Sequence, residues 1–183
     1  QDYRSENNIT DAPGSHPVDY MLMHFVSMAD PGLEIWPTHR LVHHVNQHDV
    51  DELEDSLKNA FTISETASVD EMIEKITANF SQQKIALGML KKNGKPMLLE
   101  LKDKAAIDEM LPDAPAALKD LDVSVLHKLI LEKQLGIDEE KLLRKTNIRY
   151  HRNLPDTLED LSDGKGAQVA FFMNPTRMQE VIN

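Results

Sequence analysis

The fold turns on residues 84–102, which read KIALGMLK (84–91), KNG (92–94) and KPMLLELK (95–102). Two apolar runs flank Asn93-Gly94, the dipeptide that supplies the two positive φ angles of a tight turn, so the stretch predicts a β-hairpin. On its N-terminal side Ser68 and Glu71 form a capping-box pattern ahead of Met72, Ile73, Ile76 and Phe80. Asp49 and Glu52 repeat the device, with Val50, Leu53, Leu57, Ala60 and Phe61 at helical spacing behind them. Two amphipathic helices are expected, with a short strand at Phe61–Glu65 between them, where Thr62 and Ile63 are β-branched. Further upstream, Tyr20–Met28 and Leu33–Trp36 read as strands on either side of Asp30-Pro31-Gly32, a second hairpin with apolar groups on both faces.

Downstream, residues 103–121 are alanine-rich and acidic with Pro112 and Pro115 inside them. Short, broken helices are expected there, consistent with a mobile excursion or lid. Asp122 caps a predicted helix through Leu126, Leu129 and Ile130, which Gly136 terminates. A short acidic helix, a strand near Asn147–His151, a helix opened by Pro155 and a strand at Gln168–Met173 follow, and Asn174-Pro175 starts a last helix. Hairpins interleaved with helices predict an α+β fold: one domain over 1–183, with a mixed or largely antiparallel sheet and covering helices.

Composition narrows the function. Twenty Lys and Arg against 31 Asp and Glu give a formal charge of −11, and no basic patch offsets it, which disfavours nucleic acid as a partner. The apolar runs fall far short of the ~20 residues of a membrane helix, so no membrane partner is expected. The sequence has no cysteine, which removes thiolate chemistry and fits a cytoplasmic setting. Neither a glycine-rich phosphate loop, a Gly-x-Ser-x-Gly elbow nor a His-Glu-x-x-His zinc helix is present.

Pro37-Thr38-His39-Arg40 lies just past the second predicted strand, where a loop can aim polar groups at a ligand. Arg40 offers a fork for a carboxylate or phosphate, His39 a proton donor or acceptor near neutral pH, and Thr38 a hydroxyl. The plainer reading has Thr38 capping a turn and Arg40 paired with one of the many carboxylates. Asn174-Pro175-Thr176, between a strand end and a helix start, reads either as an anion-binding helix N-terminus or as an ordinary cap. His39, His43, His44 and His48 contain i,i+4 pairs that would suit a metal on a helix. Leu41, Val42 and Val45 fit a strand as well, where such residues stand about 13 Å apart. His127, beside Leu126, reads as a partly buried histidine bonded to a neighbour.

Several blocks carry a resemblance: His16-Pro17, Met21-Leu22-Met23, Asp30-Pro31-Gly32-Leu33, Pro37-Thr38-His39-Arg40-Leu41-Val42, Leu121-Asp122-Val123, Val125-Leu126-His127, Asn147-Ile148 with Tyr150, and Gln168 to Phe172 with Asn174-Pro175-Thr176. In this order they resemble the bacterial and archaeal family catalogued as domain of unknown function 1015. The resemblance implies a carboxyl-terminal portion of a longer protein, in keeping with a start at Gln1, whose upstream domain carries an Asp-Gly-His-His-Arg-Tyr motif. That motif is similar to one in ParB-like proteins, a superfamily that includes nucleotide-using free-serine kinases. By analogy the resemblance implies a phosphotransferase using a nucleotide with Mg in the full-length protein, no cofactor in this segment, and the missing upstream domain as a partner. The resemblance favours His39 as a proton-transfer residue and Thr38, Arg40, Asn174 and Thr176 as ligands of a small anionic metabolite, with no metal. The alternative is a non-enzymatic binding or assembly module.

Overall fold

A computed structural model describes residues 2–27, 30, 32, 35–163 and 165–176. The chain divides into two compact units, Gln1–Glu34 and Ile35–Asn183. In the first, helix α1 (Asp2–Glu6) is followed by a 3-10 turn at Pro17–Asp19. Asp19 organises this unit by pairing with Arg4 and accepting the backbone N–H groups of Gly14 and His16.

The expected strand at Tyr20–Met28 does not form over residues 20–27; Leu22 is wholly exposed and Phe25 is 87% exposed. A strand needs a partner edge and a covered face, and apolar content alone supplies neither. Ile35 and Trp36 are likewise outside any strand, while Met28, Ala29, Pro31, Leu33 and Glu34 lie outside the described residues.

The second unit runs β1 (His39–His43), α2 (Gln47–Asp51), α3 (Leu53–Leu57), β2 (Phe61–Glu65), α4 (Val69–Ser81), β3 (Ala86–Lys91), β4 (Pro96–Leu101), α5 (Ala105–Met110) and α6 (Ala116–Lys119). It continues with α7 (Asp122–Val125), which runs into a π-helix at Leu126–Glu132, then α8 (Glu139–Arg144), β5 (Ile148–His151), α9 (Leu154–Ser162) and β6 (Ala167–Phe172). The six strands form one sheet in the order β2-β4-β3-β6-β1-β5, with every neighbouring pair antiparallel. The architecture is α+β. Among the described residues no helix is long and apolar enough to cross a membrane.

Alternation along the strands builds two cores. Val42, Leu87, Met89, Leu99, Val169 and Phe171 face one way, onto α2, α3, α5 and the α7–π segment. Leu41, Ala86, Leu98, Ala170 and Phe172 face the other way, onto Met72 and Ile76 of α4 and Leu161 of α9. Each large apolar side chain removed from water contributes ~1.5–3 kcal/mol. At Gly88 a Cβ would sit 2.8 Å from Met72 Sδ, so the missing side chain is what lets α4 lie close on β3.

Most local expectations hold, with instructive differences. Ser68 accepts the Glu71 N–H at 3.1 Å, and the Glu71 carboxylate reaches back to Ala67 N–H at 2.7 Å, which fixes the start of α4. The central hairpin forms, but Asn93 takes the left-handed backbone (φ 62°) and Gly94 does not. Helix α2 starts earlier than the Asp49 pattern indicates, because Asn46 accepts the His48 N–H. Asp122 is the first helical residue rather than the cap, and Leu121 in the cap position has no side-chain bond. Gly136 has the expected positive φ, 61°. Asn174-Pro175 is expected to start a helix; residues 174–176 are not helical, and residues 177–183 lie outside the described residues.

Candidate functional site

Strand β1 carries the motif that the sequence singled out, and its pleat separates the motif's two most chemical members. Arg40 stands opposite Tyr150 of β5 and Phe171 of β6, so it shares a face with Val42 and the π-helix side of the sheet. His39 stands opposite His151 and packs its ring on Phe172, 5.2 Å between centroids, so it faces the α4–α9 side. Adjacent residues of a strand point to opposite faces, and no single ligand is placed between these two side chains by the backbone. Both touch Met173, whose N–H donates to His39 Nδ1 at 3.4 Å and whose Sδ accepts from Arg40 Nη1 at 3.1 Å.

Arg40 is held without an acidic partner. Its Nη1 also donates to the Thr38 carbonyl, and its guanidinium lies over the Tyr150 ring, 5.5 Å from the centroid. Thr38 therefore contributes its backbone. The Nε of Arg40 is buried with no hydrogen-bond partner, and no carboxylate pairs with Arg40 among the described residues. Burial lowers its pKa, opposed by Tyr150.

His127 supplies the other orphaned group. It stands in the first turn of the π-helix, where Lys133 N–H and Leu135 N–H reach back five residues to the Lys128 and Ile130 carbonyls. Its Nε2 is buried without a partner. Burial first, then the charges of Arg40 and Lys128, push its pKa down to about 4. Its neighbour Lys128 is occupied by Glu132 and Glu139 at 2.7 and 3.0 Å. Read from sequence, His127 is a bonded core histidine; the only signal to the contrary is a polar ring inside an apolar run.

The remaining candidates lie elsewhere. Asn174 Nδ2 donates to the Ile76 carbonyl of α4 at 3.2 Å, and Thr176 is exposed. Both line a crevice of about 10 Å³, with room for no more than one water. Burial, then Arg40 and His151, push His39 down to about 4. His43 and His39 sit on an extended strand, and His43 Nδ1 lies 2.8 Å from His44 Nδ1, the two rings sharing one hydrogen bond. Among the described residues no group of three or more His, Asp or Glu is arranged to hold a metal ion.

On the α4–α9 side, sequence reasoning passed over a second cluster. Asp160 of α9, 8% exposed, accepts two bonds from Arg149, 2.8 Å from Nε and 3.0 Å from Nη2, and a third contact with His151 Nε2 at 2.8 Å. Burial alone would raise the Asp160 pKa, but the bonds from His151 and Arg149 outweigh it and hold the carboxyl below its ordinary value. A cavity of about 360 Å³ opens beside this cluster, lined also by Asp163 and Lys165.

Residues 1–124 match the model of the family described as protein of unknown function (DUF1015). The chain belongs to the DUF1015 family. The matched span contains Thr38, His39 and Arg40, whereas His127, Asn174 and Thr176 lie beyond its end. No curated protein and no solved structure matches the chain.

Proposed function

We propose that this DUF1015 chain contributes a binding site for a small anionic metabolite, centred on Arg40. The observation that carries the reading is a partly buried guanidinium with an unmet Nε and no carboxylate partner among the described residues, in a sequence with 31 Asp and Glu. Burying a cation without a counter-charge costs several kcal/mol, and an arriving anion removes that cost. His39 faces the other layer, and Asn174 is bonded to α4, so neither side chain is a contact of this site.

The wider proposal is phosphoryl transfer to a small hydroxy or amino acid by the full-length protein, in a cytoplasmic setting that suits a cysteine-free sequence.

A thermal-shift panel of serine, phosphoserine, inorganic phosphate and lactate, with glycerol as the neutral control, tests the site. A rise in Tm with an anion, lost in R40M, supports it; no rise with any anion overturns it. A second reading, an assembly module, draws on the exposed Met21, Leu22, Met23 and Phe25. Concentration-dependent self-association that is abolished by L22D would favour that reading.

A further inference from the structure

The cavity beside Arg149, His151 and Asp160 opens on the α4–α9 side of the sheet, the opposite face from Arg40. Its volume, about 360 Å³, is that of a small-ligand site. One of its groups is set in place for recognition. Burial opposes charge on Asp160, but His151 and Arg149 keep its carboxyl ionised, with Arg149 donating at 2.8 and 3.0 Å. A carboxylate has no proton to give, so its 2.8 Å contact with His151 Nε2 requires the proton on Nε2. That fixes the tautomer of a neutral His151 and leaves Nδ1 as an acceptor. Nδ1 has no hydrogen-bond partner among the described residues and is not sealed from solvent.

The rest of the lining decides what Nδ1 can accept from. Arg149 gives Nε and Nη2 to Asp160, and Lys165 gives its ammonium to Asp163. Asp156 is bonded at one oxygen by Asn153, and the Glu159 carboxylate has no partner among the described residues. Two cations therefore face four carboxylates, and the lining is net negative in either protonation state of His151. An anion is repelled, whereas a cation with N–H groups meets both the charge and the open acceptor. We propose that this cavity binds a small primary ammonium ligand that donates to His151 Nδ1, with Asp160 as the positioning residue that orients the ring. This site is separate from that of Arg40 and does not rest on the anion reading.

The test is an NMR titration of the chain at pH 8, where an imidazole is ordinarily neutral, observing the histidine side-chain nitrogens at constant ionic strength. The probe is 1,4-diaminobutane, and tetramethylammonium serves as a cation with no N–H to donate. Before any addition, the His151 signals should show Nε2 protonated and Nδ1 bare, and D160N should mix the two tautomers. Diaminobutane is expected to move the Nδ1 signal saturably and to bind more tightly than tetramethylammonium. H151L should weaken diaminobutane about tenfold, the loss of one hydrogen bond to a charged group. A bare Nε2 in the wild type overturns the orienting role of Asp160. An Nδ1 signal that diaminobutane leaves still, or tetramethylammonium binding as tightly, overturns the site, as does H151L that binds like the wild type. The wild-type spectra decide the matter even where a variant fails to fold.

Discussion

Two arginines on neighbouring strands at one edge of the sheet meet opposite fates. Arg149 of β5 points to the α9 side and finds Asp160, which holds it through two bonds and is itself held by His151. Arg40 of β1 points to the π-helix side and finds a carbonyl, a thioether and an aromatic face, with Nε left over. The register that sets Arg40 opposite Tyr150 sets Arg149 opposite Leu41, so the pleat alone sends them to different layers. A satisfied arginine reads as structure; an unsatisfied one reads as a place for something else to bind.

Breaking the satisfied member should have the larger effect. R149M strands the Asp160 carboxylate with His151 as its remaining partner and is expected to cost about 2 kcal/mol, since removing half of a buried pair leaves an uncompensated charge. Urea denaturation measures it, and a loss below about 0.5 kcal/mol would make the cluster an ordinary surface pair.

The second prediction concerns pH. His39 and His127 titrate near 4 in the fold and near their ordinary 6.5 in the unfolded chain. Between those values the unfolded chain binds more protons, so the contribution of both histidines is complete above about pH 6.5 and is lost as pH falls toward 4. The urea midpoint should drop across that window, and H39N and H127L should each flatten the slope. Asp160, with its lowered pKa, is lost only below that range. A midpoint constant from pH 7 to 4.5 would contradict the burial of these rings.

The smallest effect is expected at Tyr150. Its ring lies over Arg40 from a half-exposed position, where a cation–π contact is worth about 0.5–1 kcal/mol. Y150L should lower stability by no more than that, and a larger loss would mean that Tyr150 supports the edge strand in some other way.

How much of this was legible in the sequence depends on how local the deciding interaction is. The Asn93-Gly94 hairpin, the Ser68–Glu71 cap and the Gly136 stop are settled within a few residues, and all three form. Tyr20–Ser27 has the composition of a strand, but its pairing is a long-range fact that composition does not carry. Asn46 takes the cap position ahead of Asp49, and residue type alone does not separate them because either can play that part. The π-helix has no sequence signature, and the pattern reads His127 as a bonded histidine although its Nε2 has no partner. The Arg149–His151–Asp160 cluster joins β5 to α9 across nine and eleven residues of chain, beyond any spacing rule. The parting of His39 from Arg40 was readable: Leu41 and Val42 already fit a strand, and a strand's period of two sends neighbours to opposite faces.

The ligand dependence of two substitutions tests the contrast between the arginines most directly. Urea stability of wild type, R40M and R149M is measured with and without sodium lactate. Without lactate, R40M should be neutral or up to about 1 kcal/mol more stable, because an apolar chain replaces an unpaired buried cation, while R149M is destabilised. With lactate, wild type and R149M should gain stability and R40M should gain none. An R40M chain as damaged as R149M, with lactate stabilising all three alike, would make Arg40 a structural residue and contradict the anion site.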